Sequence, residues 1–126
     1  MKTALLATCV LGFGGYIVST FAEVCGTYNG TREDYQTELK LYDDSVFEYT
    51  ASREFPFEVS EGNWVLHGDT VVLNSIPCKN PEQLEHKPRR TYLTFTNSLY
   101  LYKKNTLIPV RNGKQVKIEG MSREKE

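Results

Sequence analysis

The sequence predicts an all-β protein, in which a small antiparallel barrel of about eight strands follows an N-terminal export segment. Three observations support this class. Polar and apolar residues alternate along most of the chain after residue 23, turn-forming residues separate the alternating runs, and no convincing helical run of ten or more residues is found. The connections are mostly short, so neighbouring strands should pair in order. A closed barrel would remove exposed strand edges, and a two-sheet sandwich is the alternative.

The first segment has the pattern of a secretory signal. Lys2 precedes an uncharged run of 19 residues, 4–22, and the small residues Thr20 and Ala22 stand just before Glu23. A run of this length could also cross a membrane, so an uncleaved anchor is the alternative. Both interpretations predict an exported protein, either periplasmic or secreted, or else held at the membrane. Cleavage after Ala22 would leave no membrane span.

The predicted domains are a signal peptide at 1–22, a barrel domain at 23–120 and a polar tail at 121–126. Within the barrel, the first strands are predicted at 24–28, 35–41, 47–52, 63–67 and 70–74. Tyr35, Leu39 and Leu41 alternate with polar residues, which is typical of a strand with one buried face. Gly68 and Asp69 indicate a tight hairpin turn before the last of these strands.

The later strands are predicted at 90–96, 99–103, 107–110 and 114–119. The segment 75–89 contains three prolines and lacks alternation, so we expect a loop there. Leu93, Phe95, Leu99 and Leu101 are expected to face inward. Asn112-Gly113 is the strongest hairpin signal in the chain, because both residues tolerate a positive φ.

Two cysteines, Cys25 and Cys78, remain after signal removal. Export would bring them into an oxidising compartment, where two cysteines most often pair, so we predict a disulfide. Such a bond could stabilise the fold by roughly 3–4 kcal/mol in the chain-entropy model. Two free, buried thiols are the alternative.

The sequence offers little for catalysis. His67 and His86 are the only histidines, and they have no metal-ligand spacing with one another or with the cysteines. Nucleophile, phosphate-binding and dinucleotide-binding motifs are also missing from the sequence. We therefore predict a non-enzymatic protein with no catalytic residue, metal or cofactor. The net charge of −1 argues against a nucleic-acid partner.

The aromatic residues suggest a binding function. Tyr49, Trp64 and Phe95 are expected to line the barrel interior and to contact a small apolar or amphipathic ligand. An eight-stranded barrel can hold one small ligand or be filled by side chains. With a filled interior, the domain would instead contact another envelope protein, as an inhibitor or a structural component. In either case we expect a monomer.

Charge is unevenly distributed along the chain. Residues 23–69 carry a net charge of −8 and residues 70–126 a net charge of +6. One interpretation is that the two halves pair across neighbouring strands. The other is a basic surface, whose densest part contains Lys87, Arg89 and Arg90 and could contact an anionic partner.

Several short motifs resemble those of a known group of proteins. They are CGTY at 25–28, ELKL at 38–41, FEY at 47–49, EGNW at 61–64 and GDTVVLNS at 68–75. The sequence in this part resembles the small exported lipocalin-like β-barrel proteins of Bacteroidetes, most of which are uncharacterised. The resemblance implies a lipocalin-like barrel and export. It implies nothing about the ligand.

Overall fold

The computed structural model describes residues 19–53, 57–77 and 90–124. One short helix, ten strands and one 3-10 helix make up this part of the chain. In chain order they are α1 (Phe21–Val24), β1 (Gly26–Arg32), β2 (Tyr35–Leu41), β3 (Val46–Ser52), β4 (Phe57–His67), β5 (Thr70–Ser75), β6 (Arg90–Tyr92), β7 (Ser98–Lys103), β8 (Thr106–Arg111), β9 (Lys114–Gln115), the 3-10 helix (Lys117–Glu119) and β10 (Met121–Arg123).

The strands close into an antiparallel eight-stranded barrel, as the sequence predicted. The ring runs β1-β2-β3-β4-β5-β7-β8-β10 and returns to β1. Closure depends on β10, which pairs with β1 on one side and with β8 on the other. Because every ring strand has two neighbours, the barrel leaves no long edge open for pairing with another chain.

The alternation of the first five strands gives the core that the sequence predicted. Leu39, Phe47 and Leu73 are completely buried, and Tyr49 and Val71 face the same interior. Successive side chains of a strand point to opposite faces, so each strand contributes every second residue to this core. The polar residues between them lie on the outside of the barrel.

Strand β4 has eleven residues, and its pairing with β5 begins at Gly62. Residues 57–59 pair with β6, whereas residues 62–67 pair with β5. A Cβ atom at Gly62 would lie 2.1 Å from the backbone oxygen of Asn74, so only glycine fits this close approach.

The segment 90–96 differs from its prediction. Only β6 is a strand there, and it pairs with β4 in parallel rather than taking a place in the up-and-down order. The following residues, including Leu93 and Phe95, leave the sheet and pack against the core. Hydrogen bonds hold this segment, since the Ser75 N–H donates to the Phe95 oxygen at 2.8 Å and the Phe95 N–H donates to Ser75 Oγ at 2.8 Å.

The inward face of β7 is the opposite of the predicted one. Tyr100 and Tyr102 are buried, whereas Leu99 is 38% exposed and Leu101 is half-buried. The sequence Leu-Tyr-Leu-Tyr is apolar on both faces, so alternation could not decide the register. Inside the barrel the Tyr102 hydroxyl has polar partners, because it donates to Asn105 Oδ1 at 3.1 Å and accepts from Arg123 at 3.2 Å.

The outer face of this part of the barrel is therefore aliphatic. Val65, Val72, Leu99 and Val110 follow one another across β4, β5, β7 and β8 as directly opposed residues. Val65 is 47% exposed. We call these four residues the outer apolar row.

The C-terminal segment also differs from its prediction. Residues 121–123 form β10 instead of a polar tail, and Met121 is only 2% exposed. Arg123 fixes the strand, because its guanidinium donates to the backbone oxygens of Cys25 and Glu23 and to Asn105 Oδ1. The alternation signal was too short here to indicate a strand. Residues 125–126 lie outside the described part.

Helix α1 closes one end of the barrel. The Phe21 ring stacks on Trp64 with 4.3 Å between centroids and 5° between planes, and Val24 is fully buried. Thr20 begins the helix with a capping box to Glu23. The Tyr28 hydroxyl donates to the Val24 oxygen at 2.6 Å. We call this the closed end.

The described ion pairs do not join the two oppositely charged halves of the sequence. Arg32 pairs with Glu58 and Arg53 with Asp34 in the first half, and Arg111 pairs with Glu119 in the second. The fourth, between Lys40 and Glu38, also lies within the first half. In the part of the chain that the structure describes, no helix is long and apolar enough to span a membrane.

Candidate binding cavity

A cavity of about 210 Å³ opens at the end of the barrel opposite α1. It is a little larger than an engineered apolar cavity of ~150 Å³ that accepts benzene. Side chains from β1, β2, β3, β7, β8 and β10 and from the segments that precede β7 and β10 surround it. The lining residues are Arg32, Thr37, Tyr49, Leu93, Phe95, Tyr100, Pro109, Arg111, Glu119 and Met121.

The apolar part of the cavity is aromatic. Phe95 meets Tyr49 edge to face with 5.1 Å between ring centroids, and it meets Phe47 in the same way at 5.8 Å. Such edge-to-face pairs are a favoured aromatic geometry, so Phe95 has a defined place although it belongs to no strand. Leu93, Pro109 and Met121 extend this surface.

Two arginines lie at the open end. Arg32 is the last residue of β1 and Arg111 the last residue of β8, and both lie at inward-facing positions of the strand alternation. The Arg111 guanidinium donates to Glu119 Oε1 at 2.5 Å, and this hydrogen bond raises the pKa of Arg111. Burial opposes the charge of Arg32, but Tyr49 and Glu58 outweigh it, so its pKa is also raised.

Tyr100 brings a hydroxyl group into the cavity wall. The residue is 8% exposed, and burial raises the pKa of the phenol well above its usual range, with the nearby Tyr49 adding to the effect. Among the described residues this hydroxyl has no hydrogen-bond partner. Every fully buried polar side-chain atom in the described part does have one, so the Tyr100 hydroxyl keeps some accessible surface. Tyr100 lines the cavity.

Tyr49 lies beside Arg32 in the same wall. Burial raises the pKa of the Tyr49 phenol, and the neighbouring Arg32 guanidinium partly offsets that rise. The polar side chains of the described lining are thus two phenols, two guanidinium groups, the Thr37 hydroxyl and the Glu119 carboxylate. Together with the aromatic surface, this arrangement can hold an amphipathic molecule, and it contains no nucleophile paired with a base.

A shallow groove of about 310 Å³ adjoins the cavity along β7 and β8. It shares Phe95, Tyr100, Pro109 and Arg111 with the cavity lining. Arg111 therefore borders both spaces.

The structure brings two of the three predicted ligand-binding residues together. Tyr49 and Phe95 line the cavity, whereas Trp64 lies at the closed end, where it is 1% exposed and its indole N–H donates to the Tyr42 oxygen at 2.9 Å. The predicted basic patch cannot be placed, because Lys87 and Arg89 lie outside the described residues. Arg90 belongs to β6 through its backbone.

The predicted disulfide involves a residue outside the described part, Cys78. Cys25 is half-buried, carries a free thiol, and donates through Sγ to the Phe21 oxygen at 3.4 Å. A cross-strand row of five residues leads from Gly26, next to Cys25, to Ser75 on β5. Four strand spacings of ~4.8 Å separate its ends, so a bond to Cys25 would require the chain after Pro77 to approach α1 closely.

Several lining residues were not predicted from the sequence. Arg32 follows Tyr28 at an even spacing of four, and Arg111 follows Leu107 in the same way. A charged residue at an inward position near a strand end therefore indicated that Arg32 and Arg111 could line the interior. Glu119 gave no such signal, because the 3-10 helix that carries it was predicted to be a strand. Among the described residues, no group of three or more His, Cys, Asp or Glu could hold a metal.

Comparisons with known proteins support the fold. The chain resembles the crystal structure of a "putative lipoprotein" from Shewanella oneidensis with a TM-score of 0.55 and 16% sequence identity. The alignment covers 82% of this chain and 92% of that one. No family model matches the chain, and no curated protein matches it. At this identity the similarity shows a shared barrel fold alone.

Proposed function

We propose that the protein is a non-enzymatic exported barrel that binds a small apolar or amphipathic molecule in the cavity. The observation that carries the proposal is the cavity itself, which combines an aromatic surface with a few polar groups at one end. Ligand sites in proteins usually have this composition. The closed end supports the proposal, since the stacked rings of Phe21 and Trp64 fill the end of the described barrel opposite the cavity.

The experiment is a titration of the ¹⁵N-labelled protein with 1-octanol, followed by NMR. Saturable shifts at Phe95, Tyr100 and Met121 are the expected result. Thr37→Leu places a larger side chain in the cavity and should abolish the shifts, whereas Thr31→Leu makes the same change on the exposed outer face of β1 and should not. Shifts that persist in the Thr37→Leu variant would contradict the proposal. The absence of a saturable shift in the parent protein and in the Thr31→Leu variant would contradict it as well.

The proposal includes export, and the contacts of α1 bear on the residue at which the exported protein begins. Cleavage after Ala22 would divide α1 and remove Phe21 from Trp64. We therefore propose that residues 19–22 stay on the exported protein, either because the segment anchors it or because cleavage occurs earlier. The name of the Shewanella protein agrees with a place in the cell envelope. The intact mass of the exported protein would decide, and a mass that begins at Glu23 would refute this boundary.

One observation favours the alternative, a protein-interaction module. The outer apolar row presents four aliphatic residues on a face of the barrel where an isolated domain gains nothing from them. A second copy of this chain would bring the same row of aliphatic residues to the contact, and the protein would then be a dimer instead of the monomer expected from the sequence. Sedimentation velocity should then show a dimer that Leu99→Lys dissociates, and a monomer at all concentrations would remove this candidate.

A further inference from the structure

The polar end of the cavity contains more hydrogen-bond donors than acceptors. Arg32 and Arg111 each carry five N–H donors, and Tyr49 and Tyr100 each carry a hydroxyl. Glu119 is the one carboxylate in the lining, and it already accepts from Arg111. A molecule that enters this end will therefore meet unfilled donors.

The formal charge of the lining residues is positive, which agrees with their excess of hydrogen-bond donors. Two guanidinium groups and one carboxylate leave a formal charge of +1 on the lining residues. Glu58, which is not in the lining, pairs with Arg32. Arg111 is different, because half of its side chain is exposed and only Glu119 pairs with it among the described residues. Its remaining N–H groups are the strongest unfilled donors at the entrance.

The Tyr100 hydroxyl, which has no hydrogen-bond partner among the described residues, is a second and independent observation. A phenol that is almost completely buried usually finds a hydrogen-bond partner within the protein. Four neighbouring side chains act on the Tyr100 phenol electrostatically, yet none of them is hydrogen-bonded to the Tyr100 hydroxyl. They are Tyr49, Arg111, Glu119 and Arg32. The group is thus available to a ligand at the point where the aromatic surface and the charged end meet.

We propose that the ligand is a small carboxylate with an apolar tail, whose carboxylate accepts hydrogen bonds from Arg111 and Tyr100 while the tail lies against Tyr49 and Phe95. The proposal rests on the proposed binding function and narrows its ligand class. A carboxylate offers only acceptors, so it complements a surface rich in donors. The volume of about 210 Å³ suits one ring with a short side chain, or a chain of on the order of eight carbons.

Isothermal titration calorimetry of the full chain with octanoate, 1-octanol and octylamine tests the charge preference. The three probes share their tail and differ in the charge of the head group. We expect octanoate to bind roughly tenfold or more tightly than 1-octanol, as one charge-assisted hydrogen bond would give, and octylamine to bind most weakly. Equal affinities for octanoate and 1-octanol would overturn the carboxylate preference and leave the binding function standing. No binding of any probe would overturn both.

Point variants that should weaken or strengthen octanoate binding identify the residues that contact the carboxylate. Arg111→Met should weaken octanoate binding roughly tenfold and change 1-octanol binding by less than about twofold. Glu119→Gln should strengthen octanoate binding, because it removes the carboxylate that competes for Arg111. Tyr100→Phe should weaken octanoate several-fold without altering the cavity shape. Arg53→Met removes an arginine that does not line the cavity, and an equal loss there would refute the assigned site.

Discussion

The stacking of Phe21 on Trp64 should contribute measurably to the stability of the barrel. Phe21→Ala removes a partly buried ring that lies 4.3 Å from the indole. Replacing a fully buried Phe by Ala costs about 3–5 kcal/mol, and Phe21 retains some exposure, so roughly half of that applies. The aromatic pair adds about 0.5–1.5 kcal/mol. We expect the free energy of unfolding to fall by about 2–4 kcal/mol.

Urea denaturation measures this loss. With a slope typical of a domain of this size, the urea midpoint should fall by roughly 1–2 M. Trp64 is the only tryptophan of the chain, so its emission should also shift to the red when the closed end is opened to water. Ile118→Ala is the control, because Ile118 is 87% exposed and its removal should cost less than about 0.5 kcal/mol.

A Phe21→Ala protein with the stability and emission of the parent would contradict this expectation. Such a protein would show that α1 does not seal the closed end in solution. The contacts of Phe21 would then no longer support keeping residues 19–22 in the exported domain. The cavity at the open end would be unaffected, because it shares no lining residue with α1.

Three further predictions follow from the same contacts. Arg123→Met should lower the free energy of unfolding by about 2–3 kcal/mol, measured in urea, because it removes several hydrogen bonds of a charged group, whereas Arg53→Met should cost less than about 0.5 kcal/mol. The free energy of unfolding should decrease above about pH 10, since unfolded tyrosines ionise there while the folded ones hold their protons. Spectrophotometric titration should place the pKa of Tyr42, which donates a hydrogen bond to Glu48, at about 12. If Cys25 and Cys78 pair, oxidation should lower the intact mass by two hydrogens in the parent and not in Cys78→Ser; in the reduced protein, Cys25 should react slowly with iodoacetamide at pH 8, because burial raises the pKa of its thiol.

The sign of the alkaline prediction follows from proton binding. Burial raises the pKa of Tyr28 and Tyr100 above that of an unfolded tyrosine, so above about pH 10 the folded state binds more protons than the unfolded state. Stability is then complete below the unfolded pKa and decreases as the pH rises toward the folded values. Stability that stays constant from pH 9 to pH 12 would contradict the burial of these phenols.

Strand positions and strand faces were not equally predictable. In β2, β3 and β5 the apolar residues occupy a single face, so the alternation identified both the strand and its buried side. In β7 both faces are apolar, and the expected inward residues Leu99 and Leu101 were wrong. The inward face of β7 contains Tyr102, whose hydroxyl is hydrogen-bonded to Asn105 and Arg123 inside the barrel.

A smaller part of the candidate site could be anticipated in the same way. Tyr49 and Phe95 were expected in the interior because aromatic residues at inward positions normally pack there. Trp64 met the same criterion but lies at the other end, since α1 supplies a partner for it there. A linear pattern indicates the face of a strand and contains nothing about which end of the barrel a residue occupies.

Alternation and turn residues were enough to predict the all-β class, most of the strands and the buried faces of the first half, because these signals act over a few neighbouring positions. The remaining features depended on contacts between distant strands. The register of β10 between β1 and β8 turned an apparent tail into the closing strand, and the cavity joined Arg32 to Arg111 from strands almost eighty residues apart. These contacts depend on how the barrel closes, and closure is a property of all its strands together.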